Sequence, residues 1–194
     1  MSAKELFTVV TSGKYKNQKI LLPSLETTRS TKSIVKQSVF NSIRYELHNK
    51  CFIEVFGGSA SMAIEALSNG AKSAYALEID KKAFEIMQKN AKNYQDLKIF
   101  NANSFEFLPK IINGGNFENN EIILYLDPPF DIRAGFEDVY QKLLNLINSI
   151  DDSKIFKIII EFNSKIQLDD EIKRFYAKKI KKFGSTSIKI YDKE

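Results

Sequence analysis

Four consecutive residues, Asp127-Pro128-Pro129-Phe130, carry the groups best suited to chemistry in this chain. They follow the apolar run Ile122-Ile123-Leu124-Tyr125-Leu126. A short apolar run that stops at a turn signal reads as a buried strand. Each proline fixes its own φ and lacks an N–H, and the residue before a proline is pushed out of the helical region. The strand must therefore end in a stiff, extended loop. That loop offers an acceptor-only carboxylate at Asp127, carbonyls with no competing N–H at Pro128 and Pro129, and an aromatic face at Phe130. Acceptors can grip the edge of a flat group bearing N–H donors while a ring stacks on its face. A nucleobase with an exocyclic amine has that shape. The competing reading is an ordinary strand-ending turn, and the other strand ends must decide between them.

Three earlier strand ends favour a ligand. The first expected strand of the repeat ends Glu54-Val55-Phe56-Gly57-Gly58-Ser59-Ala60, and small residues let a backbone approach a ligand closely. The next ends Leu77-Glu78-Ile79-Asp80, which places Glu78 twenty residues after Gly58. That is the usual distance for an acid that accepts both hydroxyls of a ribose. The third leads into Asn101-Ala102-Asn103-Ser104, where polar side chains can meet an adenine edge. A dinucleotide needs Gly-x-Gly-x-x-Gly to seat its pyrophosphate; Gly57-Gly58-Ser59-Ala60-Ser61-Met62 fails that pattern, and no Walker Gly-x-x-x-x-Gly-Lys occurs. S-adenosylmethionine has no phosphate, and an acid such as Glu54 suits its ammonium. Glu54 can equally bond the loop backbone. The expected cofactor set is Glu54, Phe56, Gly57, Gly58, Ser59, Ala60, Glu78, Ile79, Asn103 and Ser104, with Asp127 beside the reacting group.

These residues are positioned by an alternating pattern. Strands are expected at 51–56, 73–79, 97–101, 121–126 and 155–162, with helices near 60–69, 81–92, 104–112 and 136–148. Repeated β-α units predict a mostly parallel sheet with helices on both faces, an α/β fold. Two further strands, 173–181 and 185–191, flank the turn Phe183-Gly184-Ser185 and close the sheet as an antiparallel hairpin. Ahead of the repeat, 6–10 and 18–22 read as a small β-hairpin with the basic turn Gly13-Lys14-Tyr15-Lys16-Asn17. A helix is expected from about Lys32 to Leu47, with Ile34, Val35, Val39, Ile43 and Leu47 as its apolar stripe and Lys32 and Lys36 elsewhere on its surface.

Composition narrows the chemistry. The chain has 194 residues, one cysteine (Cys51) and one histidine (His48). That excludes an internal disulfide and a Cys/His zinc site, and no metal is expected. His48 is expected to cap a helix or face solvent rather than serve as a catalytic base. No apolar stretch approaches the roughly 20 residues of a membrane span, and a cytoplasmic protein is the simplest reading. The net charge is +5, which suits a polyanionic partner. Basic residues crowd 14–36, with Lys14, Lys16, Lys19, Arg29, Lys32 and Lys36 against Glu26, and crowd 173–182 with no acid.

Over nearly its whole length the chain resembles the RsmD-type 16S ribosomal RNA guanine-N2 methyltransferases (guanine 966 in the family's name). Ser12-Gly13-Lys14-Tyr15-Lys16 resembles the family's N-terminal signature, and Arg29-Ser30-Thr31 with Val35-Lys36 and Phe40-Asn41 resembles its Arg-Pro-Thr helix entry. Phe56-Gly57-Gly58-Ser59 with Glu65-Ala66-Leu67-Ser68-Asn69-Gly70-Ala71 resembles its first motif. Leu77-Glu78-Ile79-Asp80, Asp127-Pro128-Pro129-Phe130 and Gly184-Ser185-Thr186 also match. The family has Asp where Glu54 stands, Gly at Ala60, Arg-Gly at Lys16-Asn17, Pro at Ser30 and, in many members, Asp at Asn103.

The resemblance implies a Rossmann-like class I methyltransferase with a seven-stranded sheet, a monomer that uses S-adenosylmethionine on 16S rRNA of the small ribosomal subunit. It gives Asp127, Pro128, Pro129 and Phe130 the catalytic role. Lys14, Lys16, Lys19, Arg29, Thr31, Lys32 and Lys36 are the expected RNA contacts. Residues 1–31 are expected to form a hairpin extension and linker, separable from a methyltransferase domain at 32–194. Two rival readings remain open: an amino methyltransferase acting on adenine N6 of RNA or DNA, and a non-catalytic RNA-binding or ribosome-assembly factor on the same fold.

Overall fold

The computed structural model describes residues 6–23, 29–129 and 138–194, with the side chains of 29–31 left aside. Two compact units divide the chain, Met1–Ala102 and Asn103–Glu194. No helix among the described residues is long and apolar enough to cross a membrane.

In the first unit, β1 (Phe7–Val9) and β2 (Lys19–Leu21) pair antiparallel, with Thr8 opposite Ile20. Helix α1 (Arg29–Ile43) follows, and then β3 (Cys51–Glu54), α2 (Ser61–Ser68), β4 (Ser73–Glu78), α3 (Lys81–Ala91) and β5 (Leu97–Asn101). Strand β4 runs parallel to both β3 and β5, with Glu54 opposite Ala76 and Glu78 opposite Asn101. All four residues of β3 are buried, as expected for a strand covered on both faces. Parallel pairing brings the strands' carboxyl ends to one edge, which places the Glu54 and Glu78 loops side by side.

The register of α1 differs from the sequence expectation. The helix begins at Arg29, and its buried positions are Val35, Lys36, Val39, Phe40 and Ile43, while Ile34 is 53% exposed. Residues 35, 39 and 43 share one face with 36 and 40 at a period of 3.6, and Ile34 lies about 100° to one side of Val35. Leu47 is buried, but beyond the end of the helix.

In the second unit, α4 (Ser104–Gly114) leads to β6 (Ile122–Leu126), which is buried throughout. Helix α5 (Val139–Ser149) and β7 (Ile155–Asn163) follow, and then β8 (Glu171–Ile172), β9 (Phe175–Phe183) and β10 (Thr186–Lys193). Strand β6 is parallel to β7, and β10 is antiparallel to both β7 and β9. Each of the seven strands expected after residue 50 is present. The two-residue β8 is additional, pairing only Glu171 with Tyr176 and Ile172 with Phe175.

The expected boundary at 31/32 does not coincide with a division of the structure. The hairpin belongs to the first unit, and its Val10 and Ile20 are buried in one apolar cluster with Ala63, Ile64, Ala76 and Met87.

Candidate functional site

The loop between β3 and α2 is held tightly. The Gly57 N–H donates to the Leu77 carbonyl at 2.6 Å, and the Ala60 N–H donates to Gly57 O at 2.7 Å. A Cβ on Gly57 would lie 3.0 Å from Leu77 O and 2.6 Å from the movable Met87 Cε, so a larger residue would crowd the loop against β4. Ala60 is the N-cap of α2 and sits at φ 61°, ψ 27°, a left-handed conformation. That geometry costs an L-residue with a Cβ about 1–2 kcal/mol. It explains why the resembled family places glycine there.

The Ala60 side chain has no cap hydrogen bond to offer. The buried Glu54 carboxylate instead accepts from the Ala63 N–H at 2.9 Å, closing the first turn of α2. An acid at a helix N-terminus also meets the favourable end of the macrodipole. Of the two readings of Glu54, the structure shows the backbone bond.

Glu78, half-buried at the end of β4, accepts from the Gly58 N–H at 2.8 Å through Oε2 and from the Asp80 N–H at 2.7 Å through Oε1. Each carboxylate oxygen has about two acceptor positions, so both oxygens retain one for a ribose hydroxyl. Ile79 next to it is 66% exposed, an apolar face of the kind an adenine ring covers. Gly58, at φ +50°, faces open space: no atom of the described residues lies within 4 Å of where a Cβ would stand. These residues fit an adenosine. Phe56 is half-buried, and Ser59 is buried with its carbonyl accepting from Asn90 Nδ2 at 2.9 Å.

Asn90 also bonds the hairpin, donating to Leu21 O at 3.0 Å and accepting from Leu21 N–H at 2.9 Å. One α3 amide thus joins the hairpin to the glycine loop. Sequence reasoning missed it. Its signal was periodic: Ala83, Met87 and Asn90 follow one another on the buried face of α3, where an amide must find partners.

A second link runs through Glu65 on α2, which is fully buried. Its carboxylate accepts from the Thr11 N–H at 2.9 Å, the Ser12 N–H at 3.0 Å and Thr11 Oγ1 at 2.6 Å. Lys36 Nζ lies 3.2 Å from it and donates to Val9 O at 2.8 Å. Burial holds the Lys36 ammonium below its ordinary range, and the Glu65 carboxylate offsets part of that shift. The expectation that Lys36 meets RNA on the surface is therefore corrected. A cation was drawn inward because a buried carboxylate and a carbonyl await it.

Gly13 completes the junction. At φ +82°, a Cβ on it would fall 1.8 Å from Ser68 O, and the following Lys14 N–H donates to that oxygen at 2.8 Å. The hairpin turn therefore caps the end of α2. The other expected RNA contacts with described side chains, Lys14, Lys16, Lys19 and Lys32, are exposed. Lys14 lies over the Tyr15 ring and Lys19 over Phe7. Arg29 and Thr31 lie in the first turn of α1, but their side chains are outside the described set. His48 is exposed beyond the end of α1.

In the second unit, Asn103 caps α4. Its Oδ1 accepts from the Phe105 N–H at 3.1 Å, and its Nδ2 donates to Glu106 Oε1 at 2.9 Å. One N–H of the amide remains for a ligand. Ser104 is buried. Just after β6, Asp127 and Pro129 are half-buried and Pro128 is buried. Phe130 lies outside the described residues.

Comparison with known proteins adds four findings. A family model described as conserved hypothetical protein 95 matches residues 8–192. Ribosomal RNA small subunit methyltransferase D of Buchnera aphidicola (subsp. Acyrthosiphon pisum) is 28% identical over 167 residues, covering 85% of this chain and 78% of that protein. Among solved structures, the yhhF protein of Escherichia coli superposes with a TM-score of 0.76 at 21% identity, over 97% of this chain and 99% of that one. A SAM-dependent methyltransferase from Agrobacterium tumefaciens gives 0.66 at 10% identity, over 100% and 72%. The fold is that of the Rossmann-like methyltransferases, α/β with a mostly parallel sheet and a C-terminal antiparallel hairpin.

Proposed function

Since the chain belongs to the family described as conserved hypothetical protein 95, we propose that it transfers the methyl group of S-adenosylmethionine to the exocyclic N2 amine of a guanine in 16S rRNA, guanine 966 in the resembled family's name. The observation that carries the reading is the end of β6. A fully buried strand stops just before half-buried Asp127, and buried Pro128 and half-buried Pro129 follow outside any helix or strand.

S-adenosylmethionine, when bound, supplies an electrophilic methyl on its sulfonium. Glu78 accepts from the ribose hydroxyls, Ile79 covers the adenine, and Asn103 and Ser104 meet its edge. Phe56, Gly57, Gly58, Ser59 and Ala60 supply backbone at close approach, and Glu54 holds the start of α2 in place. The guanine amine is a poor nucleophile because its lone pair is delocalised into the ring. Asp127 and the Pro128 carbonyl accept its two N–H bonds, which turns the lone pair toward the methyl and offsets the positive charge that grows on nitrogen; as the N–C bond forms, the sulfur–methyl bond would break to leave a neutral thioether, and nitrogen would then give up one proton to solvent. Phe130 stacks on the base. A paired base cannot present its amine to such a loop, so the guanine is unpaired or flipped out. Lys14, Lys16, Lys19 and Lys32, with Arg29 and Thr31, contact the RNA. The reading carries with it a cytoplasmic location, a monomer and no need for a metal.

Asp127→Ala tests the assignment. Transfer is expected to fall on the order of 10²-fold, the effect of one lost oriented electrostatic partner. Cofactor affinity by calorimetry stays within a few-fold. Residual transfer above about a tenth of wild type would remove Asp127 from its role.

A further inference from the structure

The basic stretch 173–182 splits in two in the structure. Its first residues are used internally: Lys173 Nζ donates to Ile150 O at 2.9 Å, and Arg174 pairs with Asp152 at 2.7 and 3.0 Å. The rest lies on β9, where β8 covers only Phe175 and Tyr176. From Ala177 onward the outer edge of β9 has no strand partner among the described residues. Lys178, Lys179 and Lys182 on this edge are exposed, and among the described residues no hydrogen bond or ion pair holds their ammonium groups, although the β9 backbone is paired to β10. Ile180 between them is 63% exposed.

No acid lies between Ala177 and Ile190. Across the hairpin, Lys189 is buried and already paired with Asp170 at 2.6 Å. Burial, with Lys179 beside it, pushes the Lys181 ammonium below its ordinary range. Lysines on an edge strand also block edge-to-edge pairing. A single inward or edge charge serves that purpose, whereas four lysines within five residues repel one another. A polyanion relieves that repulsion.

We infer that the free edge of β9, through Lys178, Lys179 and Lys182, is a second RNA-binding surface that takes the phosphate backbone of the substrate. The inference rests on the reading of RNA as substrate. It adds a contact surface far along the chain from the basic hairpin turn at Gly13–Asn17.

The test is a salt titration of binding between the full chain and a labelled 16S rRNA fragment. Each of K178Q, K179Q and K182Q is expected to lower the slope of log K against log salt by about 0.7, and the triple variant by roughly 2. The triple arginine variant keeps the wild-type slope, and all variants keep wild-type cofactor affinity. An unchanged slope in the glutamine variants overturns the inference. Self-association of the triple variant with unchanged slopes in the three single variants also overturns it, and leaves the lysines as edge protection only. Methyl transfer by the wild type is measured in parallel. Transfer with unchanged slopes sinks this surface and spares the proposed function; no transfer by the wild type sinks the proposed function itself.

Discussion

The Glu78 carboxylate accepts the Gly58 N–H at 2.8 Å, tying the end of β4 to the glycine loop after β3. One acid thus shapes the loop and still has acceptor positions for a ribose. Glu78→Ala removes both contributions. Charged hydrogen bonds are worth about 1.5–3 kcal/mol, so calorimetry is expected to show S-adenosylmethionine affinity reduced by at least about tenfold. Unchanged affinity would leave Glu78 with the loop alone.

Ala60→Gly removes a Cβ from a residue at φ 61°. Relief of about 1 kcal/mol is expected to raise the melting temperature by roughly 2–4 °C in a chain of this size. Cofactor affinity should be equal or tighter. Weaker binding would show that the loop has adapted to the methyl group.

Deleting residues 1–24 tests how the hairpin is built in. The deletion removes the Thr11 and Ser12 donors from buried Glu65, the Val9 carbonyl from Lys36, and both Leu21 partners from Asn90. Melting temperature and cofactor affinity are expected to fall together, because Asn90 also holds Ser59 in the cofactor loop. A truncated chain that melts and binds cofactor like the full chain would make the hairpin a detachable RNA clamp. Lys36→Met alone should cost about 3 kcal/mol in denaturant unfolding, since it strands a buried carboxylate.

What the sequence made legible followed local rules. The strands expected at 51–56 and 121–126 are present and buried at 51–54 and 122–126, and the proline pair announced where the second must stop. In the first unit, the parallel strand ends placed Glu54 and Glu78 on neighbouring loops without knowledge of any side-chain contact; in the second, the end of β6 placed Asp127 just before the prolines. Lys36 went unread because its partners, Val9 and Glu65, are distant in sequence, and a lysine beside an apolar stripe ordinarily faces water. The bonds of Asn90 to Leu21 and Ser59 were hidden for the same reason. The two residues of β8 are too few to show an alternation.

The central claim is tested most directly by methyl transfer from radiolabelled S-adenosylmethionine to small-subunit ribosomal RNA, followed by digestion and identification of the labelled nucleoside. The account predicts label on N2-methylguanosine, at one site, and its loss with Asp127→Ala. Label on N6-methyladenosine would contradict the assigned base, and cofactor binding without any transfer to RNA would contradict the enzymatic reading altogether.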